Sequence, residues 1–384
     1  MVPEEINRPT TAITDLDALA FNYRSARSFV GDGVRYMAVV KANAYGHGSV
    51  ECSRRLEAEG VEWFGVALPA EAAELRRGGI TSRILCLGGF WPGQEPMLFQ
   101  HNITPAIAGP EQAERLDRAA RERGEPIDVH IKFDTGMGRI GIRWDHAAEF
   151  AQRIKQMSGL RVEALMTHFA AADDLSQNEF TDLQSKRMSE IEAAFRSHRF
   201  EPRFTDLANS PAAVAHPATR RSLVRLGGIL YGLGGDVLPK GIAAPNLKPV
   251  MSLLSEVTHL KRVPAGESLG YGRSFVTTRD SLIATIPVGY ADGLPRLLSG
   301  RGRVIINDRY APIVGRISMD WTIVDVTDIA DAEIGNPVLL IGSSPNCAIL
   351  AEDLAATIGT ISYEITCGIS SRVERRYAGL PDRP

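Results

Sequence analysis

The segment Val39-Val40-Lys41-Ala42-Asn43-Ala44-Tyr45-Gly46-His47-Gly48 sets a lysine at the carboxyl end of an apolar run, just ahead of glycines that allow close approach of a ligand. Desolvation favours the neutral amine, the form that attacks an aldehyde, so Lys41 reads as a Schiff-base lysine. A lysine whose stem snorkels at the rim of a fold is the competing reading, and Lys41 alone does not separate the two. Further along, Lys132-Phe133-Asp134-Thr135-Gly136-Met137-Gly138-Arg139-Ile140-Gly141 contains G-x-G-x-x-G in form. A dinucleotide fingerprint opens a helix of small residues; here Ile142-Arg143-Trp144-Asp145-His146 follows, which disfavours that reading. Three more segments carry polar groups: Met166-Thr167-His168-Phe169, Asp206-Leu207-Ala208-Asn209-Ser210, and Arg225-Leu226-Gly227-Gly228-Ile229-Leu230-Tyr231-Gly232. Near the far end, Gly270-Tyr271-Gly272-Arg273 places a phenol on a close-approach loop, where it could exchange protons with a substrate. Neither H-E-x-x-H nor G-x-S-x-G occurs, so metallohydrolase and serine-hydrolase chemistry lack support.

These residues need elements to position them. Eight short apolar or β-branched runs recur between residues 34 and 226: Val34–Lys41, Trp63–Leu68, Arg83–Leu87, Ile103–Ile107, Ile127–Phe133, Val162–Thr167, Arg203–Leu207 and Ser222–Leu226. Helical patterns separate them at Val50–Glu59, Ala70–Arg77, Pro110–Arg123, Asp145–Met157, Gln177–His198 and Pro211–His216, with a weaker one near Pro96–Gln100. Alternation of this kind predicts a parallel sheet, and eight units suggest closure into an α/β fold of the (β/α)8 barrel type, with an open doubly wound sheet as the competitor. In a barrel, Lys41, Lys132, Arg139, His168, Ser210, Arg225 and Gly227 all fall at strand carboxyl ends, where barrel active sites are built, and amides after the last two strands form a phosphate cradle. Beyond about residue 247 the pattern changes to runs such as Leu282–Val288, Val304–Ile306, Thr322–Val326 and Val338–Ile341, with one helix near Ala348–Ile358. The expected organisation is a barrel over 12–247 and a mostly β domain over 248–384, which residues 1–11 are free to join.

Composition removes other classes. With 384 residues, 44% hydrophobic and 23% charged, the chain has the makeup of an ordinary globular protein with more than one core. Forty-three Lys and Arg against 46 Asp and Glu leave a charge of −3, without the basic excess that nucleic acid or an anionic membrane selects. No window approaches the roughly 20 apolar residues of a membrane span, and Met1-Val-Pro-Glu-Glu-Ile lacks a basic n-region, so a cytoplasmic location is expected. Cys52, Cys86, Cys347 and Cys367 form no C-x-x-C pair and read as packing residues.

Taken together, V-V-K-A-N-A-Y-G-H-G, K-F-D-T-G-M-G-R-I-G, R-L-G-G-I-L-Y-G, L-G-Y-G-R-S-F, G-Y-A-D-G and G-R-I-S-M-D closely resemble the alanine racemase family, whose members use pyridoxal 5′-phosphate. The resemblance runs over nearly the whole chain. It implies a barrel followed by a β domain, a head-to-tail homodimer, and an isomerase that supplies D-alanine for peptidoglycan. By this resemblance Lys41 holds the cofactor covalently and acts as base on one face of Cα, while Tyr271, from the other subunit, acts on the opposite face. Arg225 corresponds to the arginine facing the pyridine nitrogen and His168 to the histidine beside the ring. Tyr45, Asn209, Ser210 and the amides of Gly227 and Gly228 correspond to cofactor-binding positions, the phosphate cradle foremost. Arg139 and Met319 match residues near the substrate carboxylate, and Tyr290 a tyrosine at the entrance. Lys132 takes a position that in some members is carbamylated. Two departures stand out: Asp206 replaces a frequent histidine behind the cofactor arginine, and Ser371 replaces a tyrosine that touches the phosphate, which opens the question of substrate range. The alternatives are a racemase of serine or other amino acids, and a non-catalytic pyridoxal-phosphate carrier.

Overall fold

Short apolar runs bounded by turns form eight parallel strands in the computed structural model, which describes residues 8–379. They are β1 Arg35–Val39, β2 Trp63–Val66, β3 Arg83–Cys86, β4 Ile103–Ile107, β5 Ile127–Asp134, β6 Leu160–Met166, β7 Phe204–Asp206 and β8 Leu223–Leu226. Each pairs in parallel with the next, and β8 returns to β1, so the sheet closes on itself. Closure excludes the open doubly wound sheet. Helices separate the strands, and their ends follow local chemistry. Pro110–Arg123, for example, opens on a proline, whose missing N–H costs nothing in a first turn, and stops at Gly124 in the left-handed region (φ 67°). The helix Leu16–Val30, which precedes β1, was not among the expected elements.

Alternation along the strands fills the barrel. Met37, Trp63, Leu85, Ala106, Ala164, Met166, Phe204 and Leu223 form one buried cluster inside the ring. Beside Trp63 lies the ring of His130, 5.3 Å away between centroids. Side chains two residues further along a strand share its face. Stepping from His130, Phe204 and Leu223 toward the carboxyl ends therefore brings in Lys132, Asp206 and Arg225, a polar layer above the apolar one.

The described residues divide into two compact units, the barrel over 19–44 and 49–247, and a second unit over 8–18, 45–48 and 248–379. In the second unit one sheet runs in the order Arg309–Pro312, Arg303–Ile306, Pro337–Ser343, Met251–Glu256, Thr11–Asp15, Glu374–Ala378. The strand Thr11–Asp15, near the expected start of the barrel, thus pairs within this sheet, antiparallel to Met251–Glu256 and parallel to Glu374–Ala378. A second sheet joins His259–Val263, Ser281–Ile286 and Thr322–Asp325. The helix expected from residue 348 begins at Ala351, because Ala348–Ile349 pairs as a short strand with Pro337–Ser343.

Candidate active site

The polar layer of the barrel is organised around Arg225, whose side chain is almost wholly buried. Its guanidinium donates to Asp206 Oδ1, to the carbonyls of Thr167 (3.0 Å) and Leu207 (3.1 Å), and to His168 Nδ1 (3.1 Å). A guanidinium has donors and no acceptors, so His168 Nδ1 must accept, and the ring carries its proton on Nε2. Burial, followed by the charges of Arg225, Lys132, Arg139 and Lys41, holds His168 well below the usual histidine range, in keeping with a neutral ring. Burial pushes the Asp206 carboxyl up, and Arg225, His130 and Lys132 oppose that rise. Lys132 is buried and donates to the Leu87 carbonyl at 3.4 Å. Burial, then Arg225, Arg139 and Lys41, pulls its ammonium down to about 8, with Asp206 pulling the other way.

Behind this layer, Thr167 Oγ1 donates to the Phe133 carbonyl (2.9 Å) and its lone pair receives the Thr135 hydroxyl (2.8 Å). Gln184 then donates to Thr135 Oγ1 and to the His168 carbonyl, each at 3.0 Å. The string fixes the backbone that presents His168.

Lys41 follows β1 directly and opens an unusual turn. Ala42, Asn43, Ala44 and Tyr45 all lie in the left-handed region, with φ of 52–55°. None is glycine, and such a conformation costs roughly 1–2 kcal/mol per residue, so its surroundings must hold it. Asn43 Oδ1 accepts from Ser49 N at 2.8 Å, Ala44 N donates to the Val40 carbonyl at 2.9 Å, and Ala42 N donates to Glu71 Oε1 at 2.7 Å.

Arg139 is exposed on the loop that follows β5. There Asp134 Oδ1 receives the amides of Gly136 (2.9 Å) and Gly138 (3.0 Å). Gly141, at φ 133°, leaves no room for a Cβ, which would fall 2.7 Å from Asp134 N. Across the barrel, Asn209 caps the helix Ser210–Ala215 by accepting from Ala212 N at 3.1 Å. Ser210 Oγ accepts from Gly227 N at 2.8 Å, which leaves the hydroxyl proton to donate. A short helical turn starts at Gly228. Serine hydroxyl and glycine amides are the donor set that a phosphate accepts from, and Lys41, Lys132, Arg139 and Arg225 against Asp206 leave an excess of positive charge for a dianion. The residues present therefore fit a phosphorylated aldehyde cofactor.

The other expected residues lie in the second unit. Tyr271, 73% exposed, stands at the tip of a two-stranded hairpin between Gly270 and Gly272, both at positive φ. Leu269 and Phe275 anchor that hairpin in a core with Val263, Ile283 and Val314. Tyr290 and Met319 come together, as Tyr290 N donates to the Ser318 carbonyl (3.0 Å) and Ala291 N to the Met319 carbonyl (3.1 Å). Gly289 is required there, because a Cβ would overlap the Met319 carbonyl. The exposed Ser371 follows Ser370, whose amide donates to the Asp292 carbonyl at 3.0 Å. Tyr45 is buried, its ring 5.3 Å from that of Tyr363.

The alanine racemase N-terminal domain model matches residues 14–234, and the alanine racemase C-terminal domain model matches residues 250–377. The chain belongs to the alanine racemase family. Alanine racemase of Geobacter sulfurreducens is 44% identical over 377 residues, 97% of each chain, and that of Halothermothrix orenii is 40% identical over 97% of this chain and 98% of its own. Among solved structures, alanine racemase of a D-cycloserine-producing Streptomyces lavendulae aligns at a TM-score of 0.91 with 34% identity, covering 98% of this chain and 99% of its own. Alanine racemase of Bartonella henselae, with covalently bound pyridoxal phosphate, aligns at 0.85 with 30% identity over 96% and 99%. The alanine racemase family is pyridoxal-phosphate-dependent, and this chain is an isomerase of that family. Among the described residues no helix is long and apolar enough to cross a membrane. Sequence reading missed Glu71, Thr167 and Gln184. The pattern Pro69-Ala-Glu71 does signal a helix start, but nothing in it signals a second bond to Ala42.

Proposed function

We propose that this chain interconverts L- and D-alanine with pyridoxal 5′-phosphate, using Lys41 and Tyr271 as opposed bases in a head-to-tail homodimer. The observation that carries the reading is the convergence of Lys41, Lys132, His168, Ser210, Arg225 and Gly227 at the carboxyl ends of the barrel strands. The cofactor, when bound, supplies an aldehyde for covalent attachment and a conjugated ring that spreads the charge left as Cα loses its proton.

The protein's own contribution follows from its residues. Lys41 would hold the cofactor, and its amine would take or return the Cα proton on one face. The Tyr271 phenol serves the other face, because inversion requires that a proton removed on one side be replaced on the opposite side. Arg225, held by Asp206, supplies a fixed positive charge that would disfavour protonation of the cofactor ring nitrogen. Ser210, Gly227 and Gly228 would hold the phosphate, supported by Asn209, which caps the helix that carries Ser210; by resemblance Tyr45 would add a phosphate contact. Arg139, with Met319 contributed from the other subunit, would line the substrate carboxylate, and Tyr290 would stand at the entrance. The product serves peptidoglycan synthesis in the cytoplasm. Racemisation by the purified, cofactor-loaded enzyme against a panel of L-amino acids tests the reading. Alanine should be turned over fastest; a preference for serine or a larger amino acid contradicts the substrate, and no racemisation of any contradicts the activity.

A further inference from the structure

The left-handed turn behind Lys41 is tied to a neighbouring strand–helix unit by one carboxylate. Glu71 Oε1 accepts from Ala42 N at 2.7 Å. Its other oxygen accepts from Ala67 N (2.7 Å) and Leu68 N (3.1 Å), which closes the start of the helix Pro69–Arg77. A glutamate has two acceptor oxygens and here they divide the labour: one caps a helix, the other grips the residue after the lysine. The Asn43 and Ala44 bonds are made within residues 40–49, so they travel with the segment if it shifts. Glu71 belongs to the unit after β2 and fixes the turn relative to the barrel.

We infer that Glu71 is a positioning residue for Lys41: it clamps the left-handed turn so that the lysine amine is delivered at the mouth of the barrel rather than wandering with a relaxed loop. This rests on the reading of Lys41 as the cofactor lysine, while the clamp itself can be tested without any cofactor. A right-handed or extended relaxation of Ala42 to Tyr45 would redirect the residue at the head of the turn. Glu71→Gln cannot fill both roles, because its amide NH2 would meet either Ala42 N or the amides of Ala67 and Leu68. Another carboxylate, Glu57, provides a matched control, since its Oε1 accepts from Thr81 N (2.9 Å) and Ser82 N (2.6 Å) away from Lys41.

The test compares the full chain with its Glu71→Ala, Glu71→Gln and Glu57→Ala variants in two measurements. Amide hydrogen exchange without added cofactor should speed up about tenfold or more over residues 42–46 in Glu71→Ala, and stay unchanged there in Glu57→Ala. Incubation with sub-saturating pyridoxal 5′-phosphate, borohydride reduction and peptide mapping should then give a several-fold lower yield at Lys41 in Glu71→Ala than in Glu57→Ala. Should Glu71→Ala fail to fold, Glu71→Gln serves, with faster exchange at 42–46 or at 67–68 according to which side the amide turns, and lower yield in the former case. Exchange that accelerates at 67–68 alone in Glu71→Ala would make Glu71 an ordinary helix cap and overturn the inference. A loosened turn with undiminished Lys41 yield overturns the positioning role. Absence of label at Lys41 in the unsubstituted chain removes the functional reading on which that role rests, whatever the exchange shows.

Discussion

At Lys132, burial and neighbouring cations favour the neutral amine, and two consequences follow. Its ammonium loses its proton at about 8 in the folded protein, against about 10.4 in an unfolded chain. Between those values the unfolded state binds more protons, so stability rises with pH across that window and falls as pH drops through the folded value. Lys132→Met should flatten this slope in denaturant titrations run in carbonate-free buffer at the two ends of the window; an unchanged slope would assign it elsewhere. The neutral amine also suits attack on carbon dioxide, with loss of a proton to give a carbamate beside Arg139. Isotopically labelled bicarbonate should therefore place a carbonyl resonance on Lys132, absent from Lys132→Met. Asp206 presents a different case. It is fully buried and paired with Arg225, so Asp206→Asn strands a buried guanidinium and should cost about 3–5 kcal/mol, read as a lowered unfolding midpoint. Asp206→Ala, which also removes the acceptor oxygen that asparagine keeps, should lose at least as much. The placement of Lys41, Lys132, His168, Ser210 and Arg225 at or near strand ends was legible from the apolar runs, whereas Glu71 sits in an unremarkable helix start and reveals its second bond in space alone.

Among the elements, the glycine loop after β5 shows how backbone permission places Arg139, the residue proposed to line the substrate carboxylate. Gly141 combines φ of 133° with no room for a Cβ, and the loop it closes carries Arg139. Gly141→Ala should shift Arg139 and raise KM for the amino acid several-fold more than it lowers kcat; equal losses in both would place the damage at the chemistry instead. All eight barrel strands were readable from their apolar runs, to within two residues at most ends, because parallel strands buried on both faces need little else. The second unit was harder. Glu374–Ala378 carries no apolar run that would mark a strand, yet it pairs with Thr11–Asp15, and Arg375 within it donates to the carbonyls of Gly46, Ile369, Ser370 and Val373. Met251–Glu256 alternates apolar with small or polar residues too irregularly to be told from a loop. The left-handed turn after Lys41 has no glycine among its four residues and leaves no trace in sequence.

In the whole molecule, two sets of candidate residues are carried by separate units. The barrel holds Lys41 and its cationic layer, while the second unit exposes Tyr271 at the tip of its hairpin, with Val276, Met319 and Trp321 also about half exposed. The proposed head-to-tail dimer would give the Tyr271 phenol a neighbouring barrel to serve. The domain boundary near 247 was legible from the change of pattern, but the return of residues 45–48 to the second unit was not, since contacts distant in sequence decide it. The account's central claim is that Lys41 and Tyr271 of different subunits make one site. Mixing inactive Lys41→Ala with inactive Tyr271→Phe tests it most directly, with subunit exchange confirmed by mass spectrometry. Random reassortment puts one intact site in each heterodimer, so alanine racemisation should return to roughly a quarter of the unsubstituted level; no recovery despite full exchange would contradict the claim.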